Sequence, residues 1–176
     1  VFDADYDQIA AQVMDDNSEL YAFKPNAALL YMASEKLYTA FCKTPVPERD
    51  GFAERTMAHI SALWQKLSAA GNMSVLQFNF VRLDDAVFGS FAGKVPSSFS
   101  YQLDKLNLMM ADGSRENGGV FLVDLAGLQN QYGRNFTYDE KFYYIAKLPL
   151  SLNVLPEVSR RVVDVIRALL WQVKKC

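Results

Sequence analysis

Pro25-Asn-Ala-Ala-Leu-Leu-Tyr-Met-Ala-Ser34 decides how the rest of the chain is read. A proline, which cannot donate to a β-ladder, precedes the mostly apolar run Ala27–Ala33. The run does not alternate, which predicts a strand buried on both faces, as in a parallel sheet covered by helices. Polar Ser34-Glu35-Lys36 breaks it sharply, and a helical pattern follows. In open α/β sheets, ligands sit just past the carboxyl end of such a strand.

The flanking sequence repeats this alternation. Tyr6, Ile9, Ala10 and Val13 predict a helix over about 5–15, and Val1-Phe2-Asp3 reads as the tail of a strand. Ser18–Lys24 reads as a loop. Leu37, Tyr38 and Phe41 edge a short helix, and Thr44-Pro45-Val46-Pro47 then forbids helix. Phe52–Ala70 is a long amphipathic helix with Met57, Ile60, Trp64 and Leu67 on one face, Leu63 beside them and Gly71-Asn72 as its stop. Val75–Val81 is the next strand, and Arg82–Ser97 a long loop of the kind that shapes sites. Tyr101–Met110 is helical, Asp112–Gly119 a turn, and Val120–Asp124 a short buried strand. Leu125–Gly133 and Phe142–Ala146 are short helical pieces. Pro156 opens a last helix whose buried stripe is Leu155, Val162, Val163, Ile166, Leu169, Leu170 and Val173. Strands alternating with helices predict an α/β fold with a mostly parallel sheet and right-handed crossovers.

The 176 residues suit one domain with a real core, and 51% hydrophobic with 22% charged residues is a globular composition. A net charge of −2 argues against a nucleic-acid surface, which needs clustered basic residues. No apolar run reaches the roughly 18 residues of a membrane span. Two isolated cysteines, Cys42 and Cys176, make no disulfide framework and suit a reducing cytoplasm. The chain begins at Val1 without a methionine and ends directly behind a helical stripe. The expectation is a piece of a longer protein.

Few motifs carry chemistry. His59 is the sole histidine and falls in the middle of the long helix, where a structural or surface role is the plainer reading. One histidine and two distant cysteines fit no zinc spacing, so no metal ligands are expected. Gly89-Ser-Phe-Ala-Gly93-Lys94 has one residue too few between its glycines for a phosphate loop, and Val95 stands where Ser or Thr should hold magnesium. The polar residues at predicted strand ends, Ser34, Asn79 and Asp124, are the candidate crevice of a parallel sheet. The plainer alternative is that they cap the helices and turns that follow. Trp171, opposite the apolar stripe of the last helix, is the candidate interface residue; the equal alternative is a lone exposed ring lying across arginine stems.

Several stretches together resemble the amino-terminal part of FkbH-like proteins, which carry a haloacid-dehalogenase (HAD) phosphatase domain of the IIIC type. They are Asp3-Ala-Asp-Tyr-Asp-Gln8, Asn17-Ser-Glu-Leu-Tyr-Ala-Phe-Lys-Pro25 and Phe142-Tyr-Tyr-Ile-Ala-Lys-Leu-Pro149, with Lys174-Lys175-Cys176 similar to the lead-in of the HAD strand motif. The resemblance implies a three-layer SGNH-hydrolase or flavodoxin-like sandwich, lacking its first strand here. Residues 1–176 would form one SGNH-like domain, with a HAD domain after residue 176. It further implies a cytoplasmic protein handling a phosphorylated three-carbon (glyceryl) unit for transfer to an acyl carrier protein, in polyketide or surface-glycan biosynthesis. The implied partners are the carboxyl-terminal HAD domain, which would hold magnesium, and the acyl carrier protein; a second copy of the chain is a further candidate partner through Trp171. This chain would hold no cofactor and act as a non-catalytic binding and positioning domain. An SGNH enzyme needs an Asp-x-x-His near its carboxyl end, and no histidine follows Asp139. The alternative is an SGNH esterase or acyltransferase whose serine lies upstream of Val1.

Overall fold

Helix-forming residues fill Phe52–Ala69, and its apolar positions recur every three or four residues, so one face must be covered. That helix, α4, is the backbone of the first half of the fold in the computed structural model, which describes residues 2–3, 8–71 and 73–170. The chain divides into two compact units, Val1–Leu122 and Val123–Cys176.

In the first unit, α1 (Ile9–Met14) and α2 (Glu19–Phe23) precede β1 (Ala27–Leu30) and α3 (Ser34–Lys43). After α4 come β2 (Ser74–Phe78), α5 (Phe99–Glu116) and β3 (Val120–Val123). The three strands form a small open parallel sheet in the order β1-β2-β3. β1 and β2 pair from Ala27 against Ser74 to Leu30 against Gln77. Met57, Ile60, Leu63, Trp64 and Leu67 of α4 are all buried, as are Leu103, Leu106 and Met110 of α5. Phe41 of α3 meets Phe52 and Phe99 edge-on or tilted, each with ring centroids 5.3 Å apart, the offset geometry that aromatic quadrupoles favour. A Cβ on Gly113 would stand 2.9 Å from Met57 Cε and 3.3 Å from Trp64 Cζ3, so α5 approaches α4 closely only because this residue is glycine.

The tertiary structure moves several expected boundaries. β1 is not buried on both faces: Leu29 is 50% exposed and Ala27 is exposed, while Ala28 and Leu30 are buried. It is the edge strand of the sheet, packed on one side only. Phe2 and Asp3 carry no strand, and Val1 lies outside the described residues. The first helix spans Ile9–Met14 rather than 5–15, with residues 4–7 outside the described set. Ser18–Lys24 is not wholly loop: the Ser18 hydroxyl donates to the Gln12 carbonyl at 2.6 Å and starts α2. Pro47 sits in the first turn of a 3-10 helix, Val46–Gly51, where its missing N–H costs no bond. The expected turn from Asp112 is helix as far as Glu116, because close packing at Gly113 outweighs the roughly 1 kcal/mol helix penalty of glycine.

Gln102, fully buried on α5, holds three segments at once. Its Oε1 accepts from Ala53 N at 2.8 Å, and its Nε2 donates to the carbonyls of Pro96 at 2.7 Å and Asp50 at 3.0 Å. Nearby, Lys105 donates to Glu54 and holds that carboxyl below its ordinary range. A depressed carboxyl stabilises the fold above its unfolded value and loses that contribution as pH falls through the folded one. The pair is largely exposed, so solvent screening keeps its contribution small.

The second unit contains α6 (Leu125–Tyr132), α7 (Arg134–Thr137), α8 (Glu140–Ala146) and α9 (Leu155–Leu169). An antiparallel bridge between Tyr138 and Leu150, with Asp139 N donating to the Pro149 carbonyl at 2.9 Å, closes the chain around α8. Arg161 donates to Gln131 Oε1 at 3.0 Å and ties α9 to α6. The expected buried stripe of α9 is only partly covered. Val158 is its buried residue, whereas Val163, Ile166 and Leu170 are exposed. Val173 and Trp171 lie outside the described residues.

Replacing Gln102 by Leu strands a buried N–H and two carbonyls and should cost about 2–4 kcal/mol. The measurement is a urea titration of the 176-residue chain against wild type. A loss below about 0.5 kcal/mol, the range of surface substitutions, would show that water replaces the amide.

Candidate functional site

β1 and β2 run parallel and end together, so their carboxyl ends open onto one edge of the sheet. This edge is where a doubly wound sheet places a ligand crevice. β1 stops at Leu30, and three residues later Ala33 caps α3 through its backbone alone. Ser34 is therefore the first residue of the helix and not its cap, which removes the plainer reading for this position. It is 2% exposed, and Glu35 beside it is 9% exposed. The acidic side chain in the first turn suits the positive end of the helix dipole.

On the neighbouring strand, Asn79 follows the last residue of β2 and is half-buried. The strand was expected to run to Val81. It ends at Phe78, one residue past Gln77, the last to pair with β1. The backbone of Phe80 is satisfied from α5 instead. Asn107 Oδ1 accepts from Phe80 N at 2.9 Å, and Asn107 Nδ2 donates to the Phe80 carbonyl at 2.8 Å. One amide thus stands in for a missing strand. Gln77 does similar work at the end of the ladder: its Oε1 accepts from the Trp64 indole at 3.2 Å, and its Nε2 donates to the carbonyls of Leu30 at 3.3 Å and Phe78 at 2.9 Å. The Tyr31 and Phe78 rings meet edge-on with centroids 5.7 Å apart.

The long loop after β2 leaves from this edge. It holds a 3-10 helix, Gly89–Lys94, so the phosphate-loop likeness has no structural counterpart there. Arg82 pairs with Asp104 at 2.9 Å, and the Ser98 hydroxyl donates to the Ala92 carbonyl at 2.9 Å, securing the two ends of the loop. Val87, Phe88 and Phe91 between them are exposed.

Of the three residues expected to form the crevice, Asn79 directly follows β2 and Ser34 opens α3 four residues after β1, both in the first unit. Asp124 belongs to the second unit, where its Oδ1 accepts from Gly127 N at 2.8 Å and caps α6. A Cβ on residue 127 would fall 2.1 Å from Asp124 Oδ2, so the glycine is what lets this cap close. Capping accounts for Asp124 as the plainer reading has it. Of the polar side chains at this edge, Ser34 and Glu35 are buried and Asn79 is half-buried. His59 is exposed midway along α4 and not at the strand ends. Among the described residues no group of three His, Cys, Asp or Glu is arranged to hold a metal, and no helix is long and apolar enough to cross a membrane. Sequence reasoning passed over Gln77, Gln102 and Asn107. The available signal was a polar residue inside an otherwise apolar pattern, as at Gln77 within Val75–Val81.

The family model for the FkbH N-terminal domain matches residues 1–167. No curated protein matches the chain. Among solved structures, the chain is similar to the N-terminal part of the protein BF1531 from Bacteroides fragilis, which contains a phosphatase domain complexed with Mg. The likeness has a TM-score of 0.92 and 32% identity over 99% of this chain. It spans 46% of the Bacteroides chain, so this chain is about half as long as the structure it matches.

Asp124→Ala should lower stability by about 1 kcal/mol and Asp124→Asn by much less, because asparagine still caps. Thermal melts of the two variants decide it. Equal losses from both would mean that the charge, and not the cap, matters at this position.

Proposed function

We propose, from the premise that this chain belongs to the FkbH N-terminal domain family, that it is the binding and positioning module of a longer protein whose phosphatase domain performs the chemistry. The observation that carries this reading is the match along 99% of the chain to a protein part that contains a phosphatase domain. The longer protein would be a cytoplasmic HAD-type enzyme, with magnesium in its phosphatase domain. It would act on a phosphorylated three-carbon (glyceryl) unit destined for an acyl carrier protein. The present domain, with an SGNH-like or flavodoxin-like ancestry, would position that unit or its carrier.

Three features of the chain support the division of labour. Ser34, Glu35 and Asn79, polar residues that follow β1 and β2, are the groups we assign to orienting a polar substrate. The sole histidine, the residue an SGNH hydrolase would use to take a serine proton, sits exposed on α4. The consecutive order β1-β2-β3 is also the order of one half of a flavodoxin-like sheet.

The test separates the chain from the longer protein. The purified 176-residue chain should hydrolyse neither p-nitrophenyl acetate nor p-nitrophenyl phosphate above a heat-denatured control. The longer protein with magnesium should hydrolyse the phosphate ester. Acetate hydrolysis by the chain alone, abolished by a serine-directed phosphonate, would sink the non-catalytic reading.

A further inference from the structure

α9 carries more apolar surface than its own unit covers. At 3.6 residues per turn, its apolar positions from Val165 round to Val163 fill an arc of about 160°. The buried contact is Val158, toward one side of that arc. On the other side, Val163, Ile166 and Leu170 lie within about 60° of one another. They are 40%, 36% and 61% exposed. Spacing of i, i+3 and i+7 is the anchor pattern of a helix laid into a partner's groove. Arg160 and Arg167 stand exposed on the polar flank of this row, with Arg160 paired to Glu157.

We infer that this row is the seat of the phosphatase domain that follows in the longer protein, an inference that rests on the reading above. Area argues for a tethered occupant over a second copy. Three partly exposed aliphatic side chains offer on the order of 10² Å², far below the roughly 800 Å² per partner of a free-standing interface. A covalently joined domain meets the row at an effective concentration of about millimolar and needs far less intrinsic affinity. Position agrees. The row runs toward the carboxyl end of α9, Leu170 at that end is its most exposed member, and the Bacteroides structure places a phosphatase domain in a chain more than twice as long. The docking face of that domain is an apolar groove with an acidic rim toward Arg160 and Arg167.

Thiol alkylation tests the contact. Ile166→Cys is introduced with Cys42→Ser and Cys176→Ser, in the 176-residue chain and in the longer protein, and reacted with N-ethylmaleimide. Ile166→Cys should react at least tenfold more slowly in the longer protein. Asp164→Cys, on the opposite face, should react equally in both. Equal rates at position 166 in the two proteins would overturn the inference while leaving the proposed function intact. Protection that appears in the 176-residue chain and grows with its concentration would overturn it in favour of a second copy. A longer protein without magnesium-dependent phosphatase activity would remove the proposed function itself, whatever the labelling shows.

Discussion

A buried backbone group must have a hydrogen-bond partner, and the sheet of this protein is too short to supply enough of them. β1 offers four residues and β2 five. Where the ladder ends, side-chain amides take over. Gln77 bonds the last carbonyl of β1 and the indole of Trp64, so the sheet and α4 are joined at one residue. Asn107 supplies both a donor and an acceptor to Phe80, as a strand would. Gln102 joins the start of α4 to α5 and to the segments that lead into both. The apolar core lies on this scaffold, and the aromatic group of Phe41, Phe52 and Phe99 packs where Gln102 holds the helix starts together.

The same constraint shapes the sheet edge. Two strands that end in register leave their carboxyl ends side by side, and the chain then departs into α3 on one and a long loop on the other. Backbone capping by Ala33 leaves the Ser34 side chain out of helix initiation. Asp124 is different: its carboxylate is engaged at the start of α6, with Gly127 leaving room for it. One chemical pattern, a polar residue after an apolar run, thus serves different ends in the two units.

Helices were the most legible part of the chain. The period of Met57, Ile60, Trp64 and Leu67 places α4 within one residue of its observed end, and Asp124 before Leu125 marks the start of α6. These signals are local: a helix pairs its own backbone, and its cap lies next to it in sequence. Strand limits depend on a neighbour. β2 ends at Phe78, one residue past its last partner on β1, although Phe80 and Val81 continue the apolar pattern beyond Asn79. Leu29 looks like core in sequence and is half exposed because only the face of β1 with Ala28 and Leu30 is covered.

Burial around a helix is decided in the same way. The apolar stripe of α9 is plain in the sequence, but which part of it is covered is set by the elements packed against it. Composition and periodicity by themselves determined an α/β chain, most of its helices and where in the chain its strands lie. Only the tertiary structure decided the edge position of β1, the splitting of Ser34 and Asn79 from Asp124 into two units, and the amide clamps at Gln77, Gln102 and Asn107. The reason is physical: hydrophobic periodicity reports that a face needs covering, whereas the identity of the cover comes from residues about 30 to 50 positions away.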